Sequence, residues 1–85
     1  MSKFDKLVNK VLSGNHDTSI HFIEITSLLS SFGFLERVKG DHHIFYRAGI
    51  NEIINIQPNG SSAKPYQVKQ VREIMLKYHL GASNE

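Results

Sequence analysis

Residues Lys39 to Arg47 read KGDHHIFYR. Two adjacent histidines, His42 and His43, follow a Gly-Asp pair and lie between Lys39 and Arg47. A free imidazole titrates at ~6.5, so it can give or take a proton near neutrality. RNA carries its own nucleophile, the 2′-hydroxyl. Cleaving it requires one proton removed, one proton donated and cations beside the charged phosphorane, and a histidine exposed among lysines and arginines meets those needs. The spacing fits equally well a surface histidine that merely follows a turn. A metal site fits poorly. Neighbouring strand residues point to opposite faces, so the two rings diverge, and no carboxylate cluster accompanies them. No metal or cofactor is expected.

A second group of chemical interest is KPYQVKQVR, residues 64–72. Pro65 suits the first turn of a helix, where its missing N–H costs nothing, and this sets Lys64 beside a helix N-terminus that favours anions. Lys69 and Arg72 are three apart on that helix and share a face, with Lys77 further along. Lys39, Lys64, Lys69 and Arg72 are therefore the candidate RNA-binding cations; an ordinary solvated helix face would look the same.

These residues need a scaffold. Phe4, Leu7, Val8, Val11 and Leu12 recur at helical spacing and predict an amphipathic helix over 3–13. Gly14 and small polar residues break it. Phe22, Ile25, Leu28, Leu29 and Phe32 form a second stripe, ended by Gly33. Three β-candidates follow: FLERVK (34–39), HHIFYR (42–47) and EIINIQ (52–57), with turns at Gly40-Asp41 and at AGIN, 48–51. After the polar loop QPNGSSAK (57–64) comes the helix opened by Pro65. Its stripe is Val68, Val71, Met75 and Tyr78, with Ile74 beside it, and Gly81 is expected to end it. Residues 81–85 are expected to form a flexible tail. Short links make the sheet antiparallel. The prediction is an α+β domain spanning 1–85: a three-stranded antiparallel sheet with helices packed on one face and the other face open. Phe45 should face the helices. His43 then points to the core or its rim, and His42 points outwards.

At 85 residues the chain has room for one domain, and the absence of cysteine excludes disulfides, thiolate catalysis and Cys-ligated zinc. That absence fits a reducing cytosol. MSKFDKLVNK interleaves charges with apolar residues, unlike a signal peptide, and no apolar run approaches the ~20 residues of a membrane span. A cytoplasmic protein with no membrane association is expected. Charge is uneven. Residues 1–36 carry three Lys against two Asp and two Glu, a net of −1; residues 37–85 carry seven Lys or Arg against four acids, a net of +3. A locally basic surface beside the histidines suits a polyanion.

Gly40-Asp41-His42-His43-Ile44-Phe45 resembles the Gly-Ser-His-x-x-Phe signature of the HicA-type (YcfA-like) toxins. QPNGSSAKPYQVKQVR (57–72) resembles the C-terminal part of a longer branch of that family, and LLSSFGF (28–34) its helix–glycine–strand entry. The resemblance covers roughly residues 20–80. It implies a double-stranded-RNA-binding-domain-like fold, α-β-β-β-α, to which the helix at 3–13 is an addition that covers apolar surface. It further implies a metal-independent endoribonuclease, an mRNA interferase that arrests growth and is neutralised by a HicB-type antitoxin in a toxin–antitoxin module; the free protein is expected to be a monomer. The catalytic histidine of the signature corresponds to His42. Asp41 stands where the family usually has Ser. It removes a hydroxyl and adds a negative charge beside His42, and so is a candidate modulator of activity. The competing readings are a small RNA-binding domain without catalysis and an interaction domain whose open sheet face docks another protein.

Overall fold

The computed structural model describes residues 2–81; residues 82–85 of the expected tail lie outside the described residues. The element order is α1 (Lys3–Ser13), α2 (Phe22–Ser31), β1 (Leu35–Lys39), β2 (His42–Arg47), β3 (Ile50–Ile56) and α3 (Pro65–Lys77). The strands form one antiparallel meander in the order β1-β2-β3. This is an α+β architecture with the α-β-β-β-α layout and an additional N-terminal helix.

Local chemistry accounts for the helix ends. Ser2 and Asp5 form a capping box at the start of α1: the Asp5 N–H donates to Ser2 Oγ at 3.1 Å, and the Ser2 N–H donates to Asp5 Oδ2 at 3.4 Å. The His21 N–H donates to Glu24 Oε1 at 2.9 Å at the start of α2. Gly14 closes α1 at φ 74°, a left-handed conformation that glycine adopts without a Cβ clash. Pro65 opens α3, as expected. That helix ends at Lys77, short of Gly81, because Tyr78 already leaves helical geometry and His79 turns the chain at φ 58°. Gly81 has another role. It lies against α1, where an added Cβ would come within 2.9 Å of a Val8 methyl.

β3 begins at Ile50, two residues before its expected start. The β2–β3 register shifts between Phe45 and Arg47, and this irregularity lets Ala48-Gly49 close the hairpin. Further along, the ladder is regular: His43 faces Ile56, Ile44 faces Asn55 and Phe45 faces Ile54.

Directly paired residues on adjacent strands point to the same face of a sheet. Phe45, Ile54 and Ile56 therefore share one face, and all three are fully buried. They join Val8 and Val11 of α1, Ile25, Leu28 and Leu29 of α2, and Val68, Val71, Ile74 and Met75 of α3 in one apolar core. Burying side chains of this size contributes roughly 1.5–3 kcal/mol each, so α1 is part of the core and not an appendage. The opposite face carries Leu35, Arg37, Lys39, His42, Ile44, Tyr46, Ile53 and Asn55, and no helix among the described residues covers it. Leu35, Tyr46 and Ile53 are among the exposed large apolar side chains.

Two ties fasten the periphery. The Arg72 guanidinium donates to both Asp17 carboxylate oxygens, at 2.8 and 3.0 Å, and to the carbonyl of Val11 at 3.1 Å. Glu52 of β3 accepts from Lys77 Nζ at 2.8 Å and from the Tyr78 hydroxyl at 2.6 Å. No helix among the described residues is long and apolar enough to cross a membrane.

Candidate functional site

The β1–β2 hairpin turns at Gly40-Asp41, with Gly40 at φ 63°. The turn delivers His42 to the open face at one end of the sheet, opposite its paired neighbour Lys39. The His42 side chain retains 48% of its accessible surface. Asn55, which pairs with Ile44 on the same face, reaches diagonally to the ring. His42 Nδ1 lies 3.1 Å from Asn55 Oδ1. A carbonyl oxygen only accepts, so Nδ1 carries the proton in this bond. In the neutral ring the lone pair then resides on Nε2.

Asp41 Oδ1 is 3.9 Å from His42 Nε2. The Asp41 carboxyl is held below its ordinary value, first by the hydrogen bond from Gln57 Nε2 at 2.9 Å, then by a backbone hydrogen bond, with smaller contributions from His42 and Lys64. The charge of Lys64 therefore reaches the turn from the N-terminus of α3. Lys39, Asp41, His42, Asn55, Gln57 and Lys64 make up one polar cluster drawn from four segments of chain.

His43 is held quite differently. Its Nδ1 donates to Glu36 Oε2 at 2.6 Å, and its ring meets Phe22 edge-on with centroids 4.8 Å apart. Its side chain keeps 23% of its accessible surface. This histidine ties the hairpin to α2.

The basic residues of α3 have separate surroundings. Lys64 belongs to the His42 cluster. Lys69 is exposed on the side of α3 turned away from the core. Arg72, which the sequence sets towards RNA, has a side chain only 15% exposed and engaged by Asp17. Its guanidinium, held above its ordinary pKa chiefly by the Asp17 hydrogen bonds, is a structural clasp between α3 and the segment after α1. Lys69 and Arg72 therefore have different surroundings, one exposed and one engaged by a carboxylate.

Asn55 and Gln57 are not among the site residues that the sequence suggests by type. The signal for them lies in the strand pairing. Setting 42–47 against 52–57 places Asn55 opposite Ile44, hence on the His42 face, and Gln57 beside the turn. Arg37 is hidden in the same way; it pairs with Ile44 and stands two residues from Lys39 on the open face. Among the described residues, no group of three or more His, Asp or Glu side chains is placed to hold a metal ion.

A scan against protein-family models, a search of curated proteins and a search of solved structures each found no match to this chain.

Proposed function

We propose that this protein is a metal-independent endoribonuclease, the toxin of a type II toxin–antitoxin module, with His42 as its catalytic residue. The observation that carries this reading is the presentation of the His42 imidazole. Its side chain is half exposed at the end of the sheet, with Nδ1 bound by Asn55, Nε2 3.9 Å from the Asp41 carboxylate, and Lys39 in register beside it.

In this reading His42 Nε2 takes the proton from a 2′-hydroxyl. The 2′-oxygen bonds to phosphorus as the bond from phosphorus to the 5′-oxygen breaks. The products are a 2′,3′-cyclic phosphate and a 5′-hydroxyl, which takes its proton from water. Lys39 and Lys64 supply positive charge as the phosphorane forms. Asn55 fixes the ring tautomer and its direction. The Asp41 carboxylate, 3.9 Å from Nε2, draws the protonated ring towards itself and opposes an approaching phosphate, so it tunes the rate downwards.

The toxin assignment is supported by the likeness of residues 40–45 and 57–72 to the HicA-type signatures. It carries with it an mRNA substrate, a cytoplasmic setting, a free monomer and a HicB-type antitoxin as the neutralising partner.

The test is cleavage of labelled RNA in EDTA by wild type, His42→Ala and His43→Ala, with the product ends analysed. Loss of cleavage in His42→Ala alone, and cyclic-phosphate ends from wild type, support the reading. Equal cleavage by His42→Ala and wild type, purified free of contaminating nuclease, sinks it. The position of Asp41 favours one second reading, an RNA-binding domain that has lost catalysis. Wild type that binds RNA without cutting it, joined by an Asp41→Ser variant that also fails to cut, would establish that reading instead.

A further inference from the structure

The open face of the sheet is not uniform. Along β2 it presents His42, Ile44 and Tyr46, alternate residues of one strand. Along β1, in register with them, it presents Lys39, Arg37 and Leu35. Ile53 and Asn55 flank the third side. A basic row therefore borders an apolar row ending in an aromatic ring, and the imidazole stands at the other end. Tyr46 is 41% exposed, Ile53 63% and Leu35 60%. At ~3.3 Å per residue, His42 and Tyr46 are about 13 Å apart along the strand.

We infer that this face is a track for single-stranded RNA, on which Tyr46 stacks a base while Arg37 and Lys39 hold phosphates on the way to His42. The inference rests on the proposal that His42 cleaves RNA, and it names the form of the substrate and the residues that seat it. Two physical arguments favour a single strand over a duplex. A double helix keeps its base faces stacked inside and offers phosphates and 2′-hydroxyls. Docked here, it would cover Leu35, Ile44, Tyr46 and Ile53 with polar groups. An unpaired base instead offers a flat apolar surface, and aromatic side chains on a sheet receive such bases without regard to sequence. A protein partner is disfavoured because the apolar end of the face, Leu35, Tyr46 and Ile53, runs directly into Arg37, Lys39 and His42, and a basic end of this kind is complementary to a polyanion.

The test separates binding from chemistry by using His42→Ala as background. Affinity is measured by fluorescence anisotropy for a short unstructured oligoribonucleotide and for the same sequence held in a duplex. Adding Tyr46→Ala should weaken single-strand binding by at least ~5-fold, the low end for loss of one base–aromatic stack. Tyr46→Trp should retain it. The chain contains no tryptophan, so the new indole reports by itself; its emission should be quenched by the single strand and not by the duplex. Arg37→Ala should lower the slope of log affinity against log salt by ~0.7, the value of one single-strand phosphate contact.

An unquenched indole, or unchanged affinity in Tyr46→Ala, overturns the track. If Lys69→Glu weakens binding instead, RNA lies on the α3 surface and the sheet face is left to a protein partner. The two proposals fail separately. Wild type that cuts RNA while the Tyr46 variants bind normally leaves catalysis standing and removes the track. Quenching and stacking loss in a protein that never cuts RNA leaves the track standing and removes catalysis.

Discussion

His42 and His43 are chemically identical and adjacent, yet they occupy opposite sides of the sheet and opposite physical regimes. On the covered side, His43 has a carboxylate at 2.6 Å and an aromatic ring edge-on at 4.8 Å. Its partners hold the ring between β1 and α2. On the open side, His42 makes a neutral hydrogen bond to Asn55 and keeps half its surface. Its second nitrogen lies 3.9 Å from the Asp41 carboxylate. The same side chain is a fastening on one face and an exposed, lightly held ring on the other, and the one-residue alternation of the strand decides which.

The largest effect expected from breaking this comparison is on the rate. His42→Ala should lower RNA cleavage by ~10²–10⁴, the usual worth of general acid–base catalysis, while thermal unfolding shows stability within ~0.5 kcal/mol of wild type. His43→Ala should do the reverse: a lower melting temperature, with cleavage retained by the folded fraction. Equal loss of cleavage in both variants, each still folded, would erase the distinction between the faces.

Arg72→Ala sharpens the comparison from the covered side. It strands Asp17 and the Val11 carbonyl in a half-buried setting. Hydrogen bonds to charged groups are worth ~1.5–3 kcal/mol; with Arg72 15% and Asp17 21% exposed, a loss towards the lower end of that range is expected in denaturant unfolding. RNA affinity should not change in the folded protein. A drop in affinity without a drop in stability would return Arg72 to the RNA surface.

Asn55→Ala tests the open side's tie to the His42 ring. One neutral hydrogen bond is worth ~1 kcal/mol, so a roughly fivefold fall in cleavage rate is expected. Nitrogen-15 NMR of the ring should show His42 shifting from the Nδ1–H tautomer towards a mixture. A slower enzyme with an unchanged tautomer would mean that Asn55 acts on the substrate and not on the histidine. Asp41→Ser should change less, with cleavage equal to wild type or a few-fold faster by the removal of one exposed charge. A large loss would make Asp41 a partner of His42.

The smallest effect lies far from either histidine. Hydrogen bonds from Lys77 and then Tyr78 pull the Glu52 carboxyl from its ordinary 4.5 down to about 2. A carboxylate with a depressed folded-state pKa stabilises above its unfolded value and ceases to do so as pH falls through the folded value. Glu52→Gln should therefore melt slightly below wild type at pH 7, and the gap should close between pH 4.5 and 2. A gap independent of pH would mean that the amide is a packing defect and that charge plays no part.

Much of this arrangement is legible in the amino-acid sequence, because periodicity reports faces directly. The apolar stripes locate α1, α2 and α3, and the pleat alternation around Phe45 places His42 outwards and His43 inwards. Two kinds of information are not legible there. Arg72 and Asp17 are 55 residues apart, and no local pattern connects a helix cation to a distant loop carboxylate. By sequence Arg72 therefore looks like one more member of a basic face. The early start of β3 is hidden because the register irregularity at Phe45 to Arg47 is a feature of two strands together, which neither strand's alternation records. Asn55 belongs between these cases: its side is implied by the register, while its contact with His42 shows only in the 3.1 Å approach of its oxygen to the ring.

The Arg72 clasp also governs time. The two hairpins of the sheet close over a few residues, but joining Asp17 to Arg72 encloses most of the chain. Loop-closure entropy makes such a contact slow to form compared with its local neighbours. A contact made after the folding barrier acts on the reverse path: weakening it speeds unfolding and leaves folding nearly unchanged. On that account Arg72→Ala should speed unfolding in stopped-flow denaturant jumps and leave the refolding rate nearly unchanged; a slowed refolding rate would place the clasp before the barrier.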